Sequence, residues 1–280
     1  MPVRELSSRP NLAVLFAKAL ATSRTGGEDL PDDELVLRDL AVDRDHLADY
    51  NRVCGFGLRD ELPLTYPHVL AFPMTVQLMA DRRFPFALPG LVHIGNRISQ
   101  QRALDAAESL TLRVQAAGLR PHEKGTQFDL HTTVEAAGEP VWTEASTYLR
   151  RDGGGEKSSK KEARPGLPEA RWQAPSDIGR RYGAVSGDRN PIHLHPVTAR
   201  AFGFRRPIAH GMWTKARCVA ALEARLPSAV TVDVTFKLPV LLPATLGFTS
   251  SHQDQSWSFA VFGEKDGKPH LAGTAEPNED

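Results

Sequence analysis

Two hydrophobic periods alternate along the chain. Leu12, Leu15, Phe16 and Leu20 fall at near-helical spacing and predict a short amphipathic helix over residues 11–21; Lys18 interrupts a run that would otherwise mimic a secretory leader. Residues 22–35, polar and rich in Gly and Asp, read as a loop, and Leu35-Val36-Leu37 as a short strand. Leu47, Tyr50 and Val53 share one side of a helix over 43–53. A Pro-rich connection over 62–73 leads to a second helix over 74–83, with Met74, Leu78 and Met79 as its apolar contacts. The period then shortens to two. Segments 91–99, 110–116, 126–134 and 141–149 alternate or carry β-branched and aromatic residues, and Gly118, Gly125 and Gly138 punctuate them, so four strands are expected.

Residues 151–170 have little to bury. They hold Gly153-Gly154-Gly155, then Lys157, Lys160 and Lys161, then Pro165 and Pro168, the composition of an exposed linker. Beyond it the order of elements returns. A helix over 175–185 places Ile178, Tyr182 and Val185 on one face, and a loop rich in Gly, Asn and Pro follows. A helix over 211–226 can turn Met212, Ala216, Val219, Ala220 and Leu222 inward. Strands follow over 231–238, 245–251, 257–262 and 271–275, with Asp266-Gly267 turning into the last. The chain therefore reads as one unit written twice. Two short stretches echo: residues 50–56 over 182–188, sharing Tyr, Val and Gly, and Phe72-Pro73-Met74 over His210-Gly211-Met212. In that alignment the first copy is chemically blank. Phe56 stands at the place of Asp188, Glu61 at that of His193, and Pro73, which has no N–H, at that of Gly211.

Composition narrows the function classes. A length of 280 residues fits one large domain or two of about 100–150. Lys+Arg and Asp+Glu are 34 each, which argues against a broad nucleic-acid or anionic-membrane surface. No apolar run is long enough to span a bilayer. Cys54 and Cys218 are far apart and lack metal-type spacing, so they read as reduced thiols of a cytoplasmic protein.

The chemistry concentrates in residues 182–193 and 209–212. Asp188 and His193 lie five residues apart on a loop bent by Gly187, Asn190 and Pro191; a carboxylate and an imidazole facing one cleft can hold a water and move its protons. Ser186 and Asn190 are the supporting polar residues. Gly211 opens a helix, where its N–H has no ladder partner and no side chain blocks a ligand, so it can stabilise charge on a carbonyl oxygen. The plainer alternatives are an exposed turn with a structural His, and a Gly that eases a bend. His193, His195, His210 and Asp188 could together ligate zinc, but His195 precedes Pro196 and its side chain should diverge from that of His193. Arg205, Arg206, Lys215 and Arg217 form a basic group around the second long helix, suited to phosphates or an acidic surface, or to plain solvation. No phosphate loop and no serine-hydrolase elbow is present.

Tyr182-x-x-Val185-Ser186-Gly187-Asp188-x-Asn190-Pro191-Ile192-His193, with Ala199 beyond it and Ala209-His210-Gly211-Met212 following, resembles the hydratase 2 motif of MaoC-like (R)-specific enoyl hydratases and dehydratases, most nearly the two-hotdog 3-hydroxyacyl-thioester dehydratases of actinobacterial lipid metabolism. The resemblance implies an α+β double hotdog, two curved antiparallel sheets each wrapping a long central helix, with a fifth strand near each copy's start. Residues 1–150 would form a degenerate hotdog that accommodates the acyl tail, 151–170 the linker, and 171–280 the catalytic hotdog. The implied reaction is reversible hydration of a trans-2-enoyl thioester, or dehydration of an (R)-3-hydroxyacyl thioester, in fatty-acid metabolism. Its carrier is coenzyme A or acyl carrier protein, and no metal or redox cofactor is required. Asp188, His193 and Gly211 would be catalytic, with the roles of base and acid left open. Phe72 and Met74 are expected to line the tail channel, and Arg205 and Arg206 to meet the carrier. A homodimer is the assembly left open. The rival readings are a non-catalytic acyl-thioester binding module and a hotdog thioesterase.

Overall fold

The computed structural model describes residues 2–21, 27–152 and 167–278. Part of the loop expected over 22–35 and most of the expected linker therefore lie outside the described residues. The first half contains β1 (Val3–Leu6), α1 (Leu12–Ala21), β2 (Glu34–Leu40), α2 (Arg44–Cys54), α3 (Tyr66–Met79), β3 (Leu91–Gln100), β4 (Leu110–His122), β5 (Gly125–Ala136) and β6 (Glu139–Arg151). The second contains β7 (Ala170–Ala174), α4 (Ile178–Ser186), α5 (Pro191–Leu194), α6 (Pro196–Ala201), α7 (Gly211–Leu222), β8 (Val230–Phe236), β9 (Ala244–Gln253), β10 (Ser256–Gly263) and β11 (Pro269–Pro277).

The strand order is β1-β2-β4-β5-β6-β3-β8-β11-β10-β9-β7. The order β2-β4-β5-β6-β3 and the order β7-β9-β10-β11-β8 are the same order in the two halves, so the unit is indeed written twice. β2 and β7 supply the fifth strand of each copy. The two five-stranded sheets join edge to edge through antiparallel β3–β8 pairing, from Gly95 opposite Thr235 to Gln100 opposite Val230. Joining in this way pairs backbone groups that two separate sheets would leave open.

α3 is the central helix of the first half, with every residue but Gln77 buried, and it lies against β4 and β5. This corrects the helix expected over 74–83 and the Pro-rich connection ahead of it. Pro67 falls in the first turn, where a missing N–H costs nothing, and Pro73 sits mid-helix, where burial on all sides holds the helix despite one lost hydrogen bond. The correction also changes the echo. α3 opens at Tyr66 and α7 at Gly211, so Pro73 is not the counterpart of Gly211. The other echo matches in space. α2 and α4 pack together with the Tyr50 and Tyr182 rings 6.3 Å apart, and each helix ends on a left-handed glycine, Gly55 (φ 81°) and Gly187 (φ 76°). His46 ties the halves further, its ring nitrogens meeting the Tyr66 hydroxyl and the Val185 carbonyl at 2.8 Å each.

One continuous core draws on both halves and includes Met74, Trp142, Tyr182, Trp213 and Phe248. A second cluster forms under α1, where Leu12, Leu15 and Phe16 pack over Phe72, Val76, Met79, Phe84, Phe128 and Leu130. Among the described residues no helix is long and apolar enough to cross a membrane.

Candidate active site

The loop from Gly187 to His193 turns back along α4. Gly179 and Gly183, one helical turn apart, make that possible. A Cβ at Gly179 would stand 2.1 Å from the His193 carbonyl oxygen, and one at Gly183 would stand 2.9 Å from the Asp188 carbonyl oxygen. Gly179→Ala is therefore expected to destabilise the fold by about 3 kcal/mol, the upper range for overpacking, because backbone rather than a flexible side chain must yield. Urea unfolding of the variant checks this; an unchanged midpoint would mean the loop does not rest on α4.

Local hydrogen bonds set the loop. The Asp188 N–H donates to Ser186 Oγ at 3.1 Å, and the Asn190 N–H donates to Asp188 Oδ1 at 3.1 Å. Asn190 Oδ1 accepts from the Ile192 N–H at 3.3 Å and caps α5. Ser186 and Asn190 thus shape the loop. His193 donates Nδ1–H to the Ile208 carbonyl at 2.8 Å, which leaves the lone pair of the neutral ring at Nε2. His210 donates Nε2–H to the Asp188 carbonyl at 2.9 Å, and its ring stacks on His193 with centroids 3.6 Å apart. Ligand atoms of Asp188, His193 and His210 all lie within 4.8 Å of one another. The structure thus brings together Asp188 and His193, as expected, and adds His210. His195 stands apart, capping α6 by accepting from the Val197 N–H. The Asp188, His193 and His210 donor set is one that a metal ion could share, though two of its ring nitrogens are engaged with carbonyls.

Burial pushes the Asp188 carboxyl up, but the His210 and His193 rings and the Asn190 N–H outweigh it and hold it below the ordinary carboxylate range. Burial pushes the His193 ring down, more than Asp188 and the Ile208 carbonyl raise it. The resting pair is a carboxylate beside a neutral imidazole. The same burial, with His193 beside it, takes His210 down to about 3. Burial and His68 take His93 down to about 3 as well. An unfolded chain binds protons at these rings near pH 6.5 while the folded chain refuses them, so stability is full above about pH 6.5 and declines toward pH 3. The expected slope is about 1.4 kcal/mol per pH unit for each such ring. Denaturant unfolding at pH 7 and pH 5 measures it, and equal stabilities would contradict it.

Gly211 stands at the first position of α7, half-buried, ahead of the helix ladder. The Phe236 ring closes over it, 3.0 Å from where a Cβ would be. Phe236 contacts His93 edge-on with centroids 5.0 Å apart, and His93 stacks on Tyr148 at 4.6 Å, which stacks on Phe128 at 5.7 Å. A wall of rings therefore runs from the tip of α7 to the second cluster. Phe72 belongs to that cluster and comes within 4.0 Å of a Cβ position at Gly187. Met74 does not; it is fully buried in the main core, on a different side of α3. Arg205 and Arg206 are exposed just ahead of Ile208. The expected basic group, however, does not assemble. Lys215 is fully buried and donates to the Asn96 and Val232 carbonyls, while Arg217 donates to the Cys54 carbonyl and lies over the Trp172 ring. Two open depressions lie elsewhere, one of about 380 Å³ over the β3–β8 seam and one of about 400 Å³ beside α2. In the first, Arg97 and Arg120 are already paired with Asp233 and Asp129.

Sequence reasoning missed His68, His93 and Tyr148, whose only signal is isolated rings in alternating or apolar stretches. It saw His210 as part of a motif and as a metal candidate, without the stacking that buries it.

Residues 158–269 match the MaoC like domain. The chain is 38% identical over 253 residues to the 3-hydroxyacyl-thioester dehydratase X of Mycobacterium tuberculosis, covering 88% of this chain and 90% of that protein. The crystal structure of HtdX from that organism superposes with a TM-score of 0.80 at 36% identity, covering 88% of this chain and all of the other (100%). The peroxisomal enoyl-CoA hydratase 2 of Arabidopsis thaliana is 28% identical over 203 residues, 65% of this chain and 64% of its own length. With a relative so similar over nearly its whole length, a doubled hotdog order of strands and the Asp188–His193 loop seated beside the tip of α7, the chain belongs to the MaoC-like dehydratase family.

Proposed function

We propose that the protein is a hydro-lyase that reversibly hydrates trans-2-enoyl thioesters and dehydrates (R)-3-hydroxyacyl thioesters. One observation carries this reading: Asp188 and His193 rest as two hydrogen-bond acceptors within 4.8 Å of each other. Asp188 Oδ2 takes no hydrogen bond among the described residues, and neither does His193 Nε2. A water has two hydrogens, and two such acceptors hold both, which turns its oxygen lone pair toward C3. The Gly211 N–H at the positive end of α7 receives the thioester carbonyl oxygen and steadies the negative charge that builds there as the C3–O bond forms. The pair takes one proton from the water and returns one to C2, so its net charge is unchanged over a cycle. Because the two groups are coupled, their titrations belong to the pair.

The acyl tail follows the ring wall toward Phe72 and the second cluster. Val76 lies one helical turn beyond Phe72 in that cluster and is buried. Val76→Phe is expected to lower kcat/KM for dodecenoyl-CoA by about tenfold or more while sparing crotonyl-CoA, since overpacking acts only on chains that reach it. Equal loss for both would place the tail elsewhere. Arg205 and Arg206, exposed and three and two residues ahead of the Ile208 carbonyl that His193 holds, are suited to the phosphates of coenzyme A or to an acidic carrier protein.

The test is an absorbance assay of the purified protein on enoyl-CoA thioesters, with free thiol followed in parallel. Loss of the conjugated bond without thiol release, unaffected by a chelator, is expected. Thiol release would favour a thioesterase, and inertness a binding module.

A further inference from the structure

The groups used by the proposed chemistry come from two pieces of chain, the loop that holds Asp188 and His193 and the tip of α7 that holds Gly211. One residue touches all three. His210 donates Nε2–H to the Asp188 carbonyl at 2.9 Å, and the same nitrogen lies 3.7 Å from Asp188 Oδ2. Its ring lies on that of His193, with centroids 3.6 Å apart and planes 26° from parallel. Its carbonyl belongs to the same peptide unit as the Gly211 N–H.

The His210 side chain does not serve its own helix. His210 is the N-cap of α7, yet it makes no side-chain capping hydrogen bond, the service that favours Ser, Thr, Asp or Asn at that place. It is turned onto the loop instead, 3% exposed, with the Tyr182 ring 4.9 Å away. There Asp188 is tied at both ends of its backbone, the N–H to Ser186 Oγ and the carbonyl to His210, so its carboxyl hangs from a fixed point. His193 is held in the plane of its ring by the Ile208 carbonyl at Nδ1 and across its face by His210. The main chain of His210 sets the third group. A trans peptide is planar, with its N–H opposite its carbonyl. The His210 carbonyl accepts from the Thr214 N–H at 3.2 Å and from Thr214 Oγ1 at 3.3 Å, so the Gly211 N–H in the same plane is aimed off the end of α7.

We propose that His210 is a positioning residue for the hydration, one that keeps the Asp188–His193 pair and the Gly211 N–H in register so that the water meets C3 while the donor meets the carbonyl oxygen. This deepens the hydro-lyase reading given above and rests on it. A conjugated thioester fixes the distance between its C3 and its carbonyl oxygen, so the loop and the helix tip have to match that distance. A misplacement of about 1 Å costs roughly 10²-fold in rate.

Steady-state hydration of octenoyl-CoA by the wild type, His210→Phe, Asp188→Asn and the double variant tests it. His210→Phe keeps a ring against His193 and removes the donor to Asp188. It is expected to lower kcat by about 10²-fold and to move KM by less than about threefold. In the Asp188→Asn background the same substitution should cost less than about threefold, because a residue that acts through the pair then has nothing left to position. A residue that only supports the fold would cost the same factor in both backgrounds. His210→Gln, whose amide can still reach the Asp188 carbonyl, should recover about tenfold of the loss, and it supplies the same comparison if His210→Phe does not fold. A near-wild-type kcat in His210→Phe, a loss that falls on KM, or equal losses in the two backgrounds overturns the assignment. Absence of hydration by the wild-type protein sinks the hydro-lyase reading and the role of His210 with it, whereas wild-type turnover with equal losses sinks only the role of His210.

Discussion

Asp188→Asn is expected to cut hydration of enoyl thioesters by roughly 10²–10⁴-fold, the range for loss of a general acid–base group, without unfolding the protein. The amide keeps the volume and can still accept from the Asn190 N–H at the Oδ1 position. It removes the negative charge and places a donor where the water's hydrogen should go. His193→Gln should cost a similar factor, since it removes the open Nε2 acceptor beside the carboxylate. The double variant should be little worse than either single one, because groups that hold one water act as a unit. Initial rates for the four proteins, with circular dichroism to confirm folding, measure this. Multiplying losses, or near-wild-type rates in either single variant, would mean that the two side chains do not share a water.

The second large effect is expected at Gly211. Gly211→Ala keeps the N–H but adds a Cβ that meets the Phe236 ring at 3.0 to 3.2 Å, tighter than real contacts usually allow. Either the ring or the helix tip must shift. A shift at the tip misdirects the donor, and kcat should fall by about 10²-fold, the lower end of the loss from one oxyanion donor. KM should change less, because the donor matters most to the charge of the transition state. Phe236→Leu added to Gly211→Ala should recover part of the rate by opening that contact. An undiminished kcat in Gly211→Ala would remove the helix tip from the mechanism.

Much of the site was legible because it is contiguous. Asp188, Asn190 and His193 lie within one turn of chain, and glycine and proline at Gly187 and Pro191 announce the bend. The doubled architecture was legible for a similar reason: Tyr50 and Gly55 repeat Tyr182 and Gly187 in helices that do pack together. The long central helix of the first half is masked in the sequence because its prolines signal breaks. Pro67 and Pro73 are tolerated there by position and by burial, neither of which is visible locally. β7 sits at the edge of the linker and is too short to show a period. Lys215 reads as a surface cation, since nothing near it in sequence reveals Asn96, 119 residues away. His68 and Glu144 are separated by 76 residues and meet only when α3 lies against the sheet. What local periodicity records is helix and strand; what it cannot record is which distant polar groups the sheet encloses together.

On the proposed mechanism, the Asp188–His193 pair delivers a solvent oxygen to C3 of an acyl thioester. Hydration of dodecenoyl-CoA in heavy-oxygen water, followed by mass spectrometry and chiral analysis of the product, tests it most directly. The expected result is one solvent oxygen at C3 of an intact (R)-3-hydroxyacyl thioester. Label in a free carboxylate with released coenzyme A, or recovery of the enoyl thioester unlabelled, would contradict it.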